Sequence, residues 1–237
     1  MGQTAPIFAQ ELAADIEPVR EVTLLASANF DVWKQRLERE ELIPIEREGK
    51  AQLLIVAAAM KFKGVRFREI SFSVLVQNQR RQAAFLIQAF NTVRFFAFVE
   101  RNLFSAPYHH GDVQLDVGAC PFARVAESNR GRFRMQMATD EARPPARTGE
   151  AGWEGAVLLP RARPKHASRK YCLARLHGQT RSYPFTSSDR IEIEPSARWP
   201  IFQWLIDSGF TGVEWSIRES ARHSKSKTMV DRIRQLD

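Results

Sequence analysis

The sequence is poor in the residue patterns that build disulfide scaffolds and metal sites. Its 237 residues include only two cysteines, Cys120 and Cys172, and they do not form a CxxC pair. Two cysteines are too few for a disulfide scaffold, and their apolar neighbours favour packing in a core over a reactive thiol. There is no HExxH, His-x-His or Cys/His quartet, so the sequence predicts no metal site.

Long apolar runs, glycine-rich phosphate loops and targeting segments are also missing. The longest apolar run, 53–60, suits a strand, whereas a membrane-spanning helix needs about 20 apolar residues. The sequence has no GxSxG elbow and no phosphate-binding glycine loop, so we expect no cofactor. Residues 1–18 have no basic segment before an apolar stretch, so we expect no secretory signal, no membrane partner and a cytoplasmic location.

The remaining composition is that of an ordinary globular domain. Hydrophobic residues make up 44% and charged residues 26% of the chain. The length predicts a single domain over 1–237, with peripheral tails at 1–20 and 219–237. The stretch 139–155 contains a proline pair and three glycines and is predicted to be a long loop.

The pattern along the chain predicts an α+β fold with an antiparallel, barrel-like β sheet, an interior pocket and two to three flanking helices. The stretch 92–104 is apolar nearly all round, which is typical of a buried helix. Helices are predicted at 29–43, 92–104 and 196–208, and strands at 51–60, 65–76, 82–90, 110–117, 170–178, 190–195 and from 211 onward.

The strand predicted at 65–76 carries the clearest functional signal. Its even positions from Ile70 onward are apolar, so one face belongs to a core. The other face presents Glu69, Ser71 and Ser73 between hydrophobic residues, as in strands that line ligand cavities. A lightly exposed face with Glu69 in solvent is the alternative.

Three segments, 67–76, 84–110 and 169–176, together resemble the YqjF-like family of the acetoacetate decarboxylase-like superfamily. The shared features are a Phe-x-Glu strand, a long helix that ends near an arginine, a Pro-Tyr-x-His step and a Tyr-Cys-Leu strand. The resemblance implies a cone-like antiparallel β structure with an interior pocket. In acetoacetate decarboxylase a pocket lysine forms a Schiff base. Tyr108 and His109 stand where that enzyme has lysines, so the resemblance implies a pocket without this nucleophile.

The resemblance places Glu69 in the pocket. The catalytic candidates are Glu69, Arg101 and His109. A desolvated carboxyl group is a common general acid or base, although a structural ion pair from Glu69 to Arg101 or Arg94 is an equal alternative. An arginine suits a ligand that carries a carboxylate. If a strand begins early, His109 faces inward, either as a base or as a hydrogen-bonded core histidine. The substrate-binding candidates are Ser71, Ser73, Arg94, Glu100, Tyr108 and His110.

Basic charge is concentrated in one part of the chain. The segment 124–181 has thirteen Arg and Lys against five Asp and Glu residues, an excess of +8 that equals the net charge of the whole chain. Residues 130–134 alternate arginine with glycine and phenylalanine, as some nucleic-acid-binding strands do. No standard nucleic-acid motif is present, so we expect scattered, solvated charges and do not expect a nucleic-acid partner.

These observations favour a protein that binds or transforms a small organic acid or keto compound without a Schiff-base lysine. If the protein is an enzyme, acid–base chemistry of the lyase or hydrolase type is expected. The alternatives are a non-catalytic ligand-binding module and a weak nucleic-acid binder that uses 124–181. The sequence leaves open whether the protein is a homo-oligomer.

Overall fold

The computed structural model describes residues 12–78, 81–126, 131–138, 143, 145–161 and 168–232. Helices α1 (Phe30–Leu37), α2 (Arg94–Leu103) and α3 (Pro200–Asp207) lie among fifteen strands, and a 3₁₀ turn follows α1 at Glu38–Glu40. The strands are β1 (Leu12–Asn29), β2 (Ile43–Pro44), β3 (Glu46–Arg47), β4 (Lys50–Phe62), β5 (Val65–Asn78), β6 (Arg81–Asn91), β7 (Tyr108–His110), β8 (Asp112–Asp116), β9 (Phe122–Ala126), β10 (Arg132–Gln136), β11 (Arg147–Leu158), β12 (Ser168–Pro184), β13 (Arg190–Glu194), β14 (Thr211–Ser226) and β15 (Met229–Arg232).

The long strands form one sheet that closes into a ring. The order around the ring is β5-β4-β1-β14-β12-β11-β6, and β6 pairs with β5 to complete it. The sheet is mixed, because β6 runs parallel to both β11 and β7. The prediction of a purely antiparallel sheet is therefore wrong. For β7 the reason is that α2 crosses from one end of β6 to the other, and such a crossover returns the next strand in a parallel direction.

The main hydrophobic core lies outside the ring, between two layers. Alternate residues of β5, including Ile70 and Phe72, point outward into this core. The ring centroid of Phe72 lies 4.9 Å from that of Phe133 and 6.0 Å from that of Phe202. A second sheet in the order β13-β10-β9-β8, together with α3, covers this side of the ring. The side chain of Glu69 consequently faces the interior of the ring.

Both predicted tails contain long strands of the ring. β1 pairs with β4 from Arg20 to Asn29 and with β14 over most of its length, so the prediction of a peripheral tail over 1–20 is wrong from residue 12 onward. β14 continues to Ser226, and β15 pairs with β12, so the predicted tail at 219–237 is also wrong as far as residue 232. In 12–20 the polar residues Asp15, Glu17 and Arg20 are exposed, and Ile16 and Val19 are buried. In 219–232 the polar residues His223 and Lys225 share the interior face of β14 with Ala221.

The helices follow the sequence signals to different degrees. Asn29 caps α1, as predicted, because its Oδ1 accepts a hydrogen bond of 3.0 Å from the backbone N–H of Val32. α3 has Pro200 at its first turn and Gly209 just beyond its end, but its cap residue is Trp199 and makes no side-chain cap hydrogen bond. Ser196 instead accepts hydrogen bonds from the backbone N–H groups that precede the helix.

The prediction that α2 is buried is wrong. Phe95 and Phe98 keep 67% and 56% of their surface exposed, and Ala97 is the buried residue of this helix. Phe96, on another face, packs against Phe67 with a centroid distance of 5.0 Å. The helix therefore lies across the ring and buries only one side.

The predicted loop at 139–155 is partly a strand, because β11 begins at Arg147. Residues 139–142 and 144 of that loop lie outside the described residues. Within the described ranges, no helix has the length and apolar character needed to cross a membrane.

Candidate functional site

One end of the ring interior is apolar. Ile16, Val19, Ala58, Met60, Phe67 and Ala221 form a buried cluster there, and Phe96 of α2 packs against it. These residues come from four strands of the ring, which places the cluster inside the ring and separate from the outer core. The apolar cluster closes this end of the interior.

Next to this cluster, the ring holds a buried charge network around Glu21. This carboxylate on β1 is fully buried and forms an ion pair with Arg218 of β14. His223 Nε2 lies 2.5 Å from Glu21 Oε2, and the hydroxyl of Thr23 donates to Glu21 Oε1 over 2.5 Å. Although burial raises the pKa of Glu21, the contacts with His223 and Arg218 outweigh it and hold the pKa below its ordinary value. Glu21 is therefore ionised at neutral pH.

Glu69 lies on the same interior face, across from Tyr108. The Tyr108 hydroxyl donates to Glu69 Oε2 over 3.5 Å. Burial, and then the negative charge of Glu100, raise the pKa of Glu69 above its ordinary value, although Lys225 and His223 act in the opposite direction. Burial and the nearby carboxylates also raise the pKa of Tyr108 well above its ordinary value. This pair therefore keeps its protons more readily than the same groups would in water.

An ion pair joins α2 to the ring beside Glu69. Lys225 Nζ on β14 donates to both carboxylate oxygens of Glu100, over 2.7 and 2.8 Å. The ammonium group also lies 5.7 Å from the centroid of the Phe104 ring. Burial lowers the pKa of Lys225, but the charge and hydrogen bond of Glu100, together with Cys172 and Glu69, outweigh burial and raise the pKa. The amine is therefore held in its protonated form.

The resemblance implied a pocket without the Schiff-base lysine at Tyr108 and His109, but a lysine from another strand, Lys225, lies near Glu69 on the interior face. The sequence comparison covered only the step at Tyr108 and His109, so Lys225 was missed. A usable signal was present: Ala221, His223 and Lys225 share one face of β14, and Ala221 belongs to the interior cluster. The thiol of Cys172 is buried in the same neighbourhood, and its burial raises its pKa, in line with the expected core position.

Two of these side chains keep part of their surface accessible. Lys225 keeps 32% and Glu100 keeps 23% of its side-chain surface accessible. Burial is nevertheless the largest influence on the pKa of Glu69 and of Lys225.

The structure separates the remaining predicted residues into two groups. Ser71 faces the same interior as Glu69, where its hydroxyl is 3.5 Å from the carbonyl oxygen of Val56, and Ser73 is buried farther along β5. Together with Glu69, Glu100 and Tyr108, these residues form the part of the predicted site that the fold brings onto one interior face.

Arg94, Arg101, His109 and His110 do not join them. Arg94, Arg101 and His110 are exposed, and neither arginine pairs with Glu69 within the described part of the chain. His109 lies with Phe90 on the side of the outer core, at a centroid distance of 6.0 Å, because neighbouring strand residues point to opposite faces. Burial, followed by the charges of Arg101 and Arg198, lowers the pKa of His109.

Two grooves on the outer surface of the ring contain none of the predicted residues. They have volumes of about 580 and 630 Å³ and share His177 and Arg222. Their charged residues form ion pairs across neighbouring strands, such as Arg175 with Glu154 and Arg222 with Asp15. This pattern is that of a solvated sheet surface.

Comparison with solved structures gives the class of fold. The chain has the same fold as acetoacetate decarboxylase and an acetoacetate decarboxylase-like enzyme, as the resemblance implied. A scan against models of protein families and a search of curated proteins find no match to the sequence.

Three solved structures illustrate the likeness. Acetoacetate decarboxylase from Legionella pneumophila has a TM-score of 0.63 and 13% identity, and the match covers 98% of this chain and 92% of that one. The enduracididine biosynthesis enzyme MppR, bound to the condensation product of pyruvate and imidazole 4-carboxaldehyde, has a TM-score of 0.57 and 9% identity over 97% and 98% of the two chains. An acetoacetate decarboxylase-like enzyme from Sphingomonas wittichii RW1 has a TM-score of 0.54 and 13% identity over 94% and 96%.

Proposed function

We propose that the ring interior binds a small organic acid or keto compound and that Glu69 and Tyr108 transfer protons to or from it. The observation that carries this proposal is the position of a carboxyl group with a raised pKa, in contact with a phenol, inside the ring. A neutral Glu69 donates its proton to a ligand oxygen, and the ionised form accepts a proton from an acidic carbon. In this proposal Tyr108 is the catalytic partner of Glu69, instead of Arg101 and His109, which the sequence analysis favoured.

The fold supports the same class of ligand. MppR, which shares this fold, is bound to pyruvate in one structure and to a condensation product of pyruvate in another. Lys225, the lysine of the described interior, is kept protonated by Glu100, so the reaction we propose has no Schiff base. We also propose that the chain belongs to the YqjF-like family, that it forms one domain and that it acts in the cytoplasm.

The test uses pyruvate as the probe. Its binding is followed by ligand-detected NMR, and loss of its methyl proton signal in D₂O reports proton abstraction beside the carbonyl. We expect the wild-type protein to bind pyruvate and to accelerate the exchange. Glu69→Gln should keep binding but reduce the exchange rate by roughly 100-fold or more, which is the usual contribution of a general base. Glu46→Gln, at an exposed position on β3, is the matched control.

Two results would contradict the proposal in different ways. Absence of pyruvate binding to the wild-type protein removes the ligand class. Binding without any exchange identifies a non-catalytic ligand-binding module, which uses the same interior and needs no proton donor.

A further inference from the structure

Building on the proposed function, we propose that Lys225 recognises the carboxylate of the ligand and that Glu100 occupies this lysine as an internal competitor. The ligand carboxylate would replace the Glu100 carboxylate on the ammonium group, and α2, which carries Glu100, would move away from the ring. Lys225 is thus a specificity-determining residue for small carboxylates, and α2 is the element that controls access to it.

The contact between Lys225 and Glu100 has the form of a bound carboxylate. Both oxygens of one carboxyl group lie within 2.8 Å of one ammonium nitrogen. The side chain that supplies them comes from a helix outside the ring, whereas the ammonium belongs to the ring itself. A ligand carboxylate at the same position makes the same charge-assisted hydrogen bonds and leaves the number of buried charges unchanged.

The other cations near the interior are committed to structural contacts. Arg218 pairs with the fully buried Glu21 and also donates from Nε to Thr180 Oγ1 over 2.7 Å. His223 lies against the second oxygen of Glu21. Removing either contact would leave a charge unpaired within the ring, which is costly. Lys225 differs, because its partner Glu100 keeps part of its surface accessible and can turn towards water. A ligand carboxylate that replaces Glu100 then keeps the ammonium group paired.

Helix α2 is held to the ring along one side, where Phe96 packs against Phe67, and its other side is exposed. Ala97 is its buried residue, and the aromatic rings of Phe95 and Phe98 point into solvent. Near its end, Lys170 Nζ donates to Ser105 Oγ over 2.9 Å, in the short segment that follows the helix. The exchange of one carboxylate for another at Lys225 therefore releases one of the main polar contacts that hold α2 to the ring.

The proposal predicts which ligands bind. A small compound with a free carboxylate fits Lys225, and a neutral compound of the same shape does not, because it would leave the ammonium group without a counter-ion. Pyruvate and its amide, pyruvamide, are the matched pair of probes.

The experiment measures the affinities of pyruvate and pyruvamide by titration calorimetry for four variants and the wild-type protein. Glu100→Gln removes the competitor and should bind pyruvate at least about tenfold more tightly, a change of about 1.4 kcal/mol. Lys225→Met and the double variant Glu100→Gln/Lys225→Met should bind it at least about tenfold more weakly. The double variant leaves no unpaired charge, so it tests the claim even if Lys225→Met fails to fold. Lys61→Met, at an exposed position on β4, should match the wild-type protein.

The outcomes separate this proposal from the function on which it rests. If the wild-type protein binds pyruvate but Glu100→Gln binds it no more tightly, or the double variant binds it equally well, the role of Lys225 is refuted and the proposed function stands. Equal binding of pyruvate and pyruvamide to the wild-type protein also refutes it. If neither the wild-type protein nor Glu100→Gln binds pyruvate, both proposals fail.

Discussion

Glu21 shows how one residue can decide whether a charged interior is stable. A buried carboxylate without a partner would cost several kcal/mol, but Arg218, His223 and Thr23 all contact it. The network links β1 to β14, so it also fixes the register of these two strands. We therefore expect Glu21 to contribute to the stability of the fold and Glu69 to contribute to the proposed proton transfer.

The substitution Glu21→Gln should be strongly destabilising. It leaves Arg218 buried without a counter-ion, and breaking a buried ion pair in this way costs about 3–5 kcal/mol. Urea denaturation followed by circular dichroism measures the loss. Glu219→Gln, which removes an exposed ion pair with Arg181, is the control and should cost no more than about 1 kcal/mol. Similar losses in both variants would show that the Glu21 network is not a structural centre.

Glu69 should make the free energy of unfolding fall as pH rises, whereas a carboxylate whose pKa is lowered by an ion pair makes it rise. The pKa of Glu69 in the folded protein is raised above 4.5 by burial and by Glu100, so ionisation is less favourable in the folded than in the unfolded chain. The free energy of unfolding of the wild-type protein should therefore fall, relative to that of Glu69→Gln, as pH rises from 4.5 through the folded pKa. Denaturation curves of both proteins at pH 4, 6 and 8 test this, and a constant difference would contradict it.

Lys225 should not form a Schiff base. The Glu100 carboxylate raises its pKa, and a protonated amine is not a nucleophile. Treatment with borohydride in the presence of acetoacetate, followed by mass spectrometry of the intact chain, should give no adduct. An adduct that is lost in Lys225→Met would revive a covalent mechanism.

At the scale of elements, the sequence predicted those strands and helices that have a simple pattern. The alternation in 65–76 gave β5 and the inward face of Glu69, and the Asn29 cap gave the start of α1. The strand β1 was missed, and β14 was predicted only in its first half, because the ring interior is partly polar. Inward-facing residues such as Glu21 and Lys225 therefore resemble a solvated surface in the sequence. The exposed side of α2 could not be predicted, because apolar residues lie nearly all round the helix and the sequence does not show which of them contact the ring.

The two sides of α2 should respond differently to substitution. Phe98→Ser removes an exposed ring and should change the free energy of unfolding by no more than about 0.5 kcal/mol. Phe96→Ala removes the contact with Phe67 and the cover of the apolar cluster, and should cost about 3 kcal/mol. Thermal denaturation of the two variants provides the comparison. A larger loss in Phe98→Ser would mean that the outer side of α2 is covered in solution.

At the scale of the whole molecule, several arginines of the basic segment 124–181 form ion pairs with carboxylates. Arg132, Arg147 and Arg181 lie on different strands, and each pairs with a glutamate. The expectation that these charges are solvated is wrong for Arg143, Arg161 and Arg169, whose side chains are buried. That the remaining charges are scattered over the surface stays a prediction. Phe133, between two arginines, is fully buried in the outer core and offers no ring for base stacking.

Nucleic-acid binding should accordingly be weak and independent of sequence. Fluorescence anisotropy with short single-stranded DNA and RNA should show affinity that falls steeply between 50 and 200 mM salt. A protein that makes 6–10 phosphate contacts loses about 10³–10⁵-fold in affinity over this range, and this protein should lose no more than that. Tight binding at physiological salt that distinguishes sequences would overturn this expectation. Phe133→Ala is not a useful probe, because emptying this core position should cost about 3–5 kcal/mol.

The pairing of β1 with β14 also sets the order in which the molecule can be completed during synthesis. Glu21 and Arg218 are 197 positions apart, so the ribosome makes the carboxylate long before its counter-ion. Until β14 emerges, β1 has one open edge, and the future interior of the ring faces water. Closure therefore depends on a contact between distant parts of the chain, which is typical of slow folding. A nascent chain that is stalled before residue 211 should be a good substrate for chaperones and proteases.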